Sequence, residues 1–135
     1  MRISAKAEYA CLAVMALARQ RLDDPPIRIK DIAEPYHIPE RYLVQILLQL
    51  KGAGLVVSTR GAAGGYRLAR PATAISLGEV LSAIDGPDPP REAIGAAAQA
   101  LASVWELVRA AERAVLDSTS IAQISERTSP REWII

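Results

Sequence analysis

Ile3, Ala7, Ala10, Val14 and Leu17 recur at intervals of three and four, which places their side chains on one face of a helix. The spacing predicts a helix over residues 4–20 with Ser4 as its N-cap. The polar run DDPP at 23–26 ends it, and Ile27-Arg28-Ile29 reads as a brief strand. KDIAEPYH at 30–37 predicts a short helix, and IPERYLVQILLQLKGAG at 38–54 a longer one. In the longer segment Pro39 suits a first helical turn, and Gly52 or Gly54 serves as the stop. Leu43, Ile46, Leu47 and Leu50 form its apolar face, with Arg41, Tyr42, Gln45 and Gln49 towards the other side.

The period then changes to two. LVVSTR at 55–60 and GYRLAR at 65–70 predict short strands joined across GAAG, a hairpin that Pro71 closes. ISLGEVLSAIDG at 75–86 predicts another short helix, in which Ser76 and Glu79 have the spacing of a capping box. GPDPPRE at 86–92 is proline-rich and reads as a hinge.

Beyond it the pattern is heptad. Ile94, Leu101, Val108 and Val115 repeat every seven residues, and Ala97, Val104 and Ala111 fill the intermediate places. A single long helix does not bury such a seam against itself, and the hinge favours a second chain over an intramolecular bundle. Trp105 stands beside the seam as an interface anchor, or as the wall of a pocket. The organisation expected is therefore mainly α with a small β-hairpin. Residues 1–84 form one unit and 85–93 a hinge, with 94–135 a dimerisation helix followed by a short helix.

Composition sharpens this picture in three places. Half of the 135 residues are hydrophobic but only 4% are aromatic and none is Phe, so the core must come from Ala, Leu, Ile and Val. No apolar run approaches the ~20 residues that cross a bilayer. Lys6 and Glu8 interrupt the N-terminal stretch, which argues for a folded helix over a signal peptide. The one cysteine, Cys11, rules out an intramolecular disulfide and a cysteine-rich metal site, so a cytoplasmic setting is expected. Finally, the net charge of +1 divides unevenly: eleven Lys/Arg against six Asp/Glu over residues 1–70, five against nine over 71–135. The first half is suited to a polyanion.

Two short helices followed by a hairpin with a glycine-rich tip make a winged helix-turn-helix. The helix near 39–52 has the length to enter a DNA major groove, and Arg41, Tyr42 and Gln45 near its start would reach base edges. Arginine forks onto guanine and glutamine pairs with adenine, while tyrosine suits a phosphate or a thymine methyl. At the hairpin tip, RGAAGGYRL sets Arg60 beside Gly61, Gly64 and Gly65, followed by Tyr66. Missing Cβ atoms would let the backbone approach phosphates, with positive φ at Gly64 and Gly65, while Arg60 enters a narrow minor groove. The alternative is an ordinary turn with a solvated arginine. Lys6 and Lys51 complete the cations expected at DNA.

These stretches together resemble the Rrf2 family of bacterial transcription regulators. The resemblance rests on MRISAKAEYA, IPERYLVQIL, GLVVSTRGAAGGYRLAR and ISLGEVLSAIDG, with WELVRAAERAVLDSTSIAQI similar to the family's dimer helix and the short helix after it. It implies a homodimer on palindromic double-stranded DNA, with the wing arginine in the minor groove. By position, Tyr42, Gln45 and Arg60 match the family's DNA-contacting places, and Arg41 occupies one often held by a smaller residue.

Three departures bear on what the resemblance implies. Well-known members hold an iron–sulfur cluster on three cysteines, yet Asp85 to Trp105 contains no cysteine and no histidine, so no cofactor and no metal is expected. Glu8, where some relatives supply an acidic ligand, reads as a surface residue. Pro35 falls inside the first helix of the DNA-binding unit, where it removes a donor. His37, the single histidine, stands in the turn where glycine is common; it tolerates a left-handed backbone, or else senses pH or metal. Cys11 is either packed in the core or a redox switch.

The function expected is a homodimeric, sequence-specific DNA-binding regulator, a repressor, working in the cytoplasm at the nucleoid. The alternative is an interaction module docked on a metabolic enzyme. No grouped acid, base or nucleophile supports an enzyme. The operator and any small-molecule or protein effector stay open.

Overall fold

Alanine decides how the first helix packs. In the computed structural model, which describes residues 1–21, 23–87 and 89–128, helix α1 runs Ala5–Ala18 and buries Ala7, Ala10, Ala13, Val14, Ala16 and Leu17. Such short side chains let neighbouring elements approach closely, and α1 touches α3 (Glu40–Gly52), α4 (Leu77–Asp85) and α6 (Ile121–Glu126). Ser4 caps it as expected: its Oγ accepts from the Ala7 N–H at 3.0 Å and donates to the Asp85 carboxylate at 3.1 Å. Ile3 precedes the helix and is exposed, so the apolar row starts at Ala7.

Helix α2, Ile29–Tyr36, and α3 end in the same way with different residues. After α2, His37 takes the left-handed conformation (φ 54°), its N–H donates to the Glu34 carbonyl and the Ile38 N–H to the Ala33 carbonyl. After α3, Gly54 (φ 76°) donates to Lys51 and Leu55 to Leu50. Both are Schellman closures, and in both the following apolar residue, Ile38 or Leu55, is buried beneath the turn. Histidine therefore performs a task usually given to glycine. Pro35 lies in the last turn of α2, and the donor it lacks would have served the carbonyl of the exposed Asp31. Two local expectations shift: Pro39 is the N-cap of α3 and not within its first turn, and Ile29 opens α2 in place of a strand.

Strands β1 (Val56–Thr59) and β2 (Gly65–Leu68) pair antiparallel, Val56 with Leu68 and Thr59 with Gly65. Ile27 adds an isolated bridge: its N–H donates to the Tyr66 carbonyl at 3.0 Å, and its carbonyl accepts from the Tyr66 N–H at 2.8 Å.

Ser76 Oγ accepts from the Glu79 N–H at 3.1 Å at the start of α4, but the Glu79 carboxylate pairs with Arg70, leaving the expected capping box half formed. A complete box closes around Ser120 and Gln123 at the start of α6. The long helix α5, Ala96–Ser118, packs against α4, and none of its residues is buried. Its far end is pinned: Leu77 N–H donates to Thr119 O at 2.8 Å and Ile121 N–H to Ile75 O at 2.9 Å. Ile121 is fully buried in the same core as Leu43, Ile46, Leu47 and Leu50. The chain thus returns to the winged unit after α5.

Candidate nucleic-acid interface

The outer surface of α3 carries most of the predicted contacts. Its buried row of Leu43, Ile46, Leu47 and Leu50 is fully excluded from solvent, which turns Arg41 and Gln45 outward with Tyr42 at the flank. The Arg41 guanidinium lies 5.0 Å from the Tyr42 ring centroid, a cation–π contact that holds both at the start of the helix. Gln49 departs from expectation: it is half-buried and its amide faces the Ala83 and Ile84 carbonyls of α4 at 3.5 and 3.4 Å. It braces α3 against α4.

The wing is fastened on two sides. Lys51 Nζ donates to Ser58 Oγ at 2.8 Å, joining the end of α3 to β1. The Arg28 guanidinium donates to the Ala62 carbonyl, joining the start of α2 to the hairpin tip. Between these anchors Arg60 is exposed, with no hydrogen-bond or ion-pair partner among the described residues.

The glycines answer to the protein first. A Cβ on Gly64 would overlap the Thr59 carbonyl oxygen, and one on Gly65 would lie 2.5 Å from the Ile27 carbonyl oxygen. Gly64 is buried and has no positive φ, contrary to the sequence expectation; Gly61 has one (φ 105°), with open space around it. Close internal packing requires Gly64 and Gly65, and backbone torsion requires Gly61. Tyr66 is half-buried against the core, its backbone bridged to Ile27. Lys6 lies half-buried in the first turn of α1, at the end tied to Asp85 of α4. Sequence reasoning passed over Arg28, and also Val44 and Leu48, which are exposed on α3.

On α5, Leu101, Val104, Trp105, Val108 and Val115 are all 44–63% exposed, and Ile94 lies before the helix begins. Trp105 also lines a groove of about 840 Å³ between α5, the end of α4 and the N-terminal residues.

The family model described as an iron-dependent transcriptional regulator, Rrf2, matches residues 3–127. The chain belongs to the Rrf2 family. It is 35% identical to the HTH-type transcriptional regulator CymR of Bacillus subtilis over 128 residues, covering 95% of this chain and 92% of that one. The solved CymR, named as the global cysteine regulator of B. subtilis, superposes with a TM-score of 0.84 at 34% identity over 96% of this chain and 99% of the other. The T. potens IscR structure matches with a TM-score of 0.80 at 33% identity, over 98% and 91% of the two chains. These Rrf2 relatives are transcriptional regulators and not enzymes, so the chain is a DNA-binding regulator of the same winged-helix fold.

The iron in the family's description finds no matching donor set here. The chain has one cysteine and one histidine, and no three His, Cys, Asp or Glu gather among the described residues. His37 takes the left-handed turn after α2 and belongs to no such group among the described residues. Cys11 is half-buried on α1, and burial, aided by nearby Glu8, pushes its thiol from 9.0 to about 11. Such a thiol is a poor nucleophile, because only the thiolate reacts. At pH 8 its thiolate fraction is ~100-fold below that of an ordinary thiol, so alkylation of the folded protein is expected to run about 100-fold slower than in denaturant. Equal rates in the two states would show Cys11 to be open to reagents.

Among the described residues, no helix is long and apolar enough to cross a membrane.

Proposed function

We propose that this Rrf2 protein is a homodimeric repressor that occupies a palindromic operator without a three-cysteine iron–sulfur cluster, in the cytoplasm at the nucleoid. The observation that carries the reading is Arg60, exposed and without a partner among the described residues, on a wing that is fastened to both helices of the reading unit. A guanidinium so presented suits the concentrated negative potential of a narrow minor groove. Arg41, Tyr42 and Gln45 on α3 would contact bases in the adjacent major groove, with Lys6, Lys51 and the exposed wing backbone at Gly61 near phosphates, while Gly64, Gly65 and Tyr66 hold the wing's shape from within. Residues 1–84 do the reading and 85–93 link them to the pairing helix. Leu101, Val104, Trp105, Val108 and Val115 form its seam, and Ile94 extends the seam just before the helix. Of the assigned C-terminal part, 129–135 lie outside the described residues. The donor inventory supports cluster independence: thiolates hold such clusters, and this chain has one thiol, held protonated. Repression follows from a small dimer blocking a promoter. Docking on a metabolic enzyme gains no support from the relatives.

Affinity for operator-containing DNA measured against salt tests the reading. Six phosphate contacts give a log–log slope of about −5. Arg60→Ala is expected to weaken binding by about tenfold or more and to make the slope shallower by roughly one for each phosphate left without its cation. A flat salt response, or unchanged binding by the variant, would overturn the proposal.

A further inference from the structure

The reading helix carries an apolar pair on a surface that faces water. Val44 is 43% exposed and Leu48 62% exposed, and neither joins the core cluster. Four residues apart, they stack on one side of α3. Leu48 also lies three residues after Gln45 and seven after Arg41, within the same outward row. Aliphatic groups left in water gain from any contact that covers them. A DNA major groove offers one apolar feature for such contact, the C5-methyl of thymine. The polar groups beside it are donors and acceptors, which an aliphatic side chain would leave desolvated and unpaired.

We propose that Val44 and Leu48 are specificity-determining residues that read thymine, each covering a C5-methyl group while Arg41 and Gln45 bond the neighbouring base edges. The inference rests on the DNA-reading function above and assigns part of the operator's chemistry. Four residues of helix rise ~6 Å. With α3 lying along the groove, the two thymines fall about two base-pair steps apart, at ~3.4 Å per step.

The test uses the full chain and a duplex pool with a random core. Selected duplexes are resynthesised with deoxyuridine replacing thymidine one position at a time, which removes the methyl and keeps O4. Two positions per half-site are expected to lose about fourfold in affinity each, the effect of uncovering one methyl-sized group. Val44→Ala should abolish the penalty at one position and Leu48→Ala at the other, while Arg60→Ala keeps both. Both side chains are exposed, so the fold should survive; a misfolded variant would lose every duplex alike, not discrimination at one base. Uniform tolerance of deoxyuridine overturns the proposal and leaves DNA reading intact, marking the pair as a surface for a protein partner. Penalties that persist in both alanine variants also overturn it, because the methyl would then act through the shape of the DNA. A pool that yields no enriched sequence overturns the DNA-reading function itself.

Discussion

Glutamate at both Leu101 and Val108 is expected to leave the protein monomeric and to weaken its grip on a two-half-site operator by about 100-fold or more. The two side chains are 55% and 44% exposed on α5, one heptad apart, with Val104 half-exposed between them. The adjacent face of the helix, including Ala102 and Leu116, is partly covered by its own chain. In the single chain the seam is largely open to solvent, with Trp105 and Val108 at the edge of the groove beside α4, so a charge there costs the monomer little. In a dimer the same change sets several carboxylates into a dry, like-charged interface. On the proposed homodimer the loss at DNA is large because two linked reading units would bind as one: tethering multiplies affinity by roughly 10²–10⁴, and a monomer forfeits it. Sedimentation would report the change in mass, and thermal unfolding of the monomer should be unaltered. A variant that remains dimeric would move the interface elsewhere on the molecule. Retained affinity for half-sites spaced by one DNA turn would instead show that each unit reads alone.

How much of this was legible in the chain follows from the range of each interaction. Helices with a one-sided apolar row were readable because periodicity is local: Leu43, Ile46, Leu47 and Leu50 are all fully buried. The hairpin was readable because turn chemistry is local too. Gln49 was not, since a polar residue near the edge of a helical face turns inward only when a neighbour offers carbonyls, and those belong to α4. The return of Ile121 to the core is not legible in the sequence because its partners lie in distant elements, even though the Ser120–Gln123 box marks where α6 begins. The long helix was legible from its period of seven, although Ile94 falls outside it because Gly95 (φ 90°) intervenes. On the outer face of α3 the sequence marks Arg41, Tyr42 and Gln45 but not Val44 and Leu48. An exposed aliphatic residue leaves no mark in a pattern that counts apolar positions as core.

The wing glycines divide into two kinds, and substitution should separate them. Gly65→Ala is expected to lower stability by about 2–3 kcal/mol, since overpacking and a disfavoured torsion each cost ~1–3 kcal/mol. The new Cβ would sit 2.5 Å from the Ile27 carbonyl oxygen and 3.0 Å from the Arg28 nitrogen, both backbone atoms with nowhere to go. Relief requires moving the Ile27 segment, which breaks its paired hydrogen bonds with Tyr66 and shifts Arg28, whose guanidinium holds the hairpin tip. The fall in DNA binding should therefore exceed what the drop in stability explains, because Arg60 is carried on the loop that Arg28 steadies. Gly61→Ala meets open space but keeps a φ of 105°, so its cost is torsional and the anchors stay in place. Gly52→Ala meets neither obstacle at the end of α3 and should stabilise the fold by about 0.5–1 kcal/mol. Unfolding midpoints for the three variants, with DNA affinity measured well below each midpoint, check the order. If Gly65→Ala unfolded at the same temperature as Gly61→Ala and bound DNA as well, the tie between Ile27 and the wing would not be what positions Arg60.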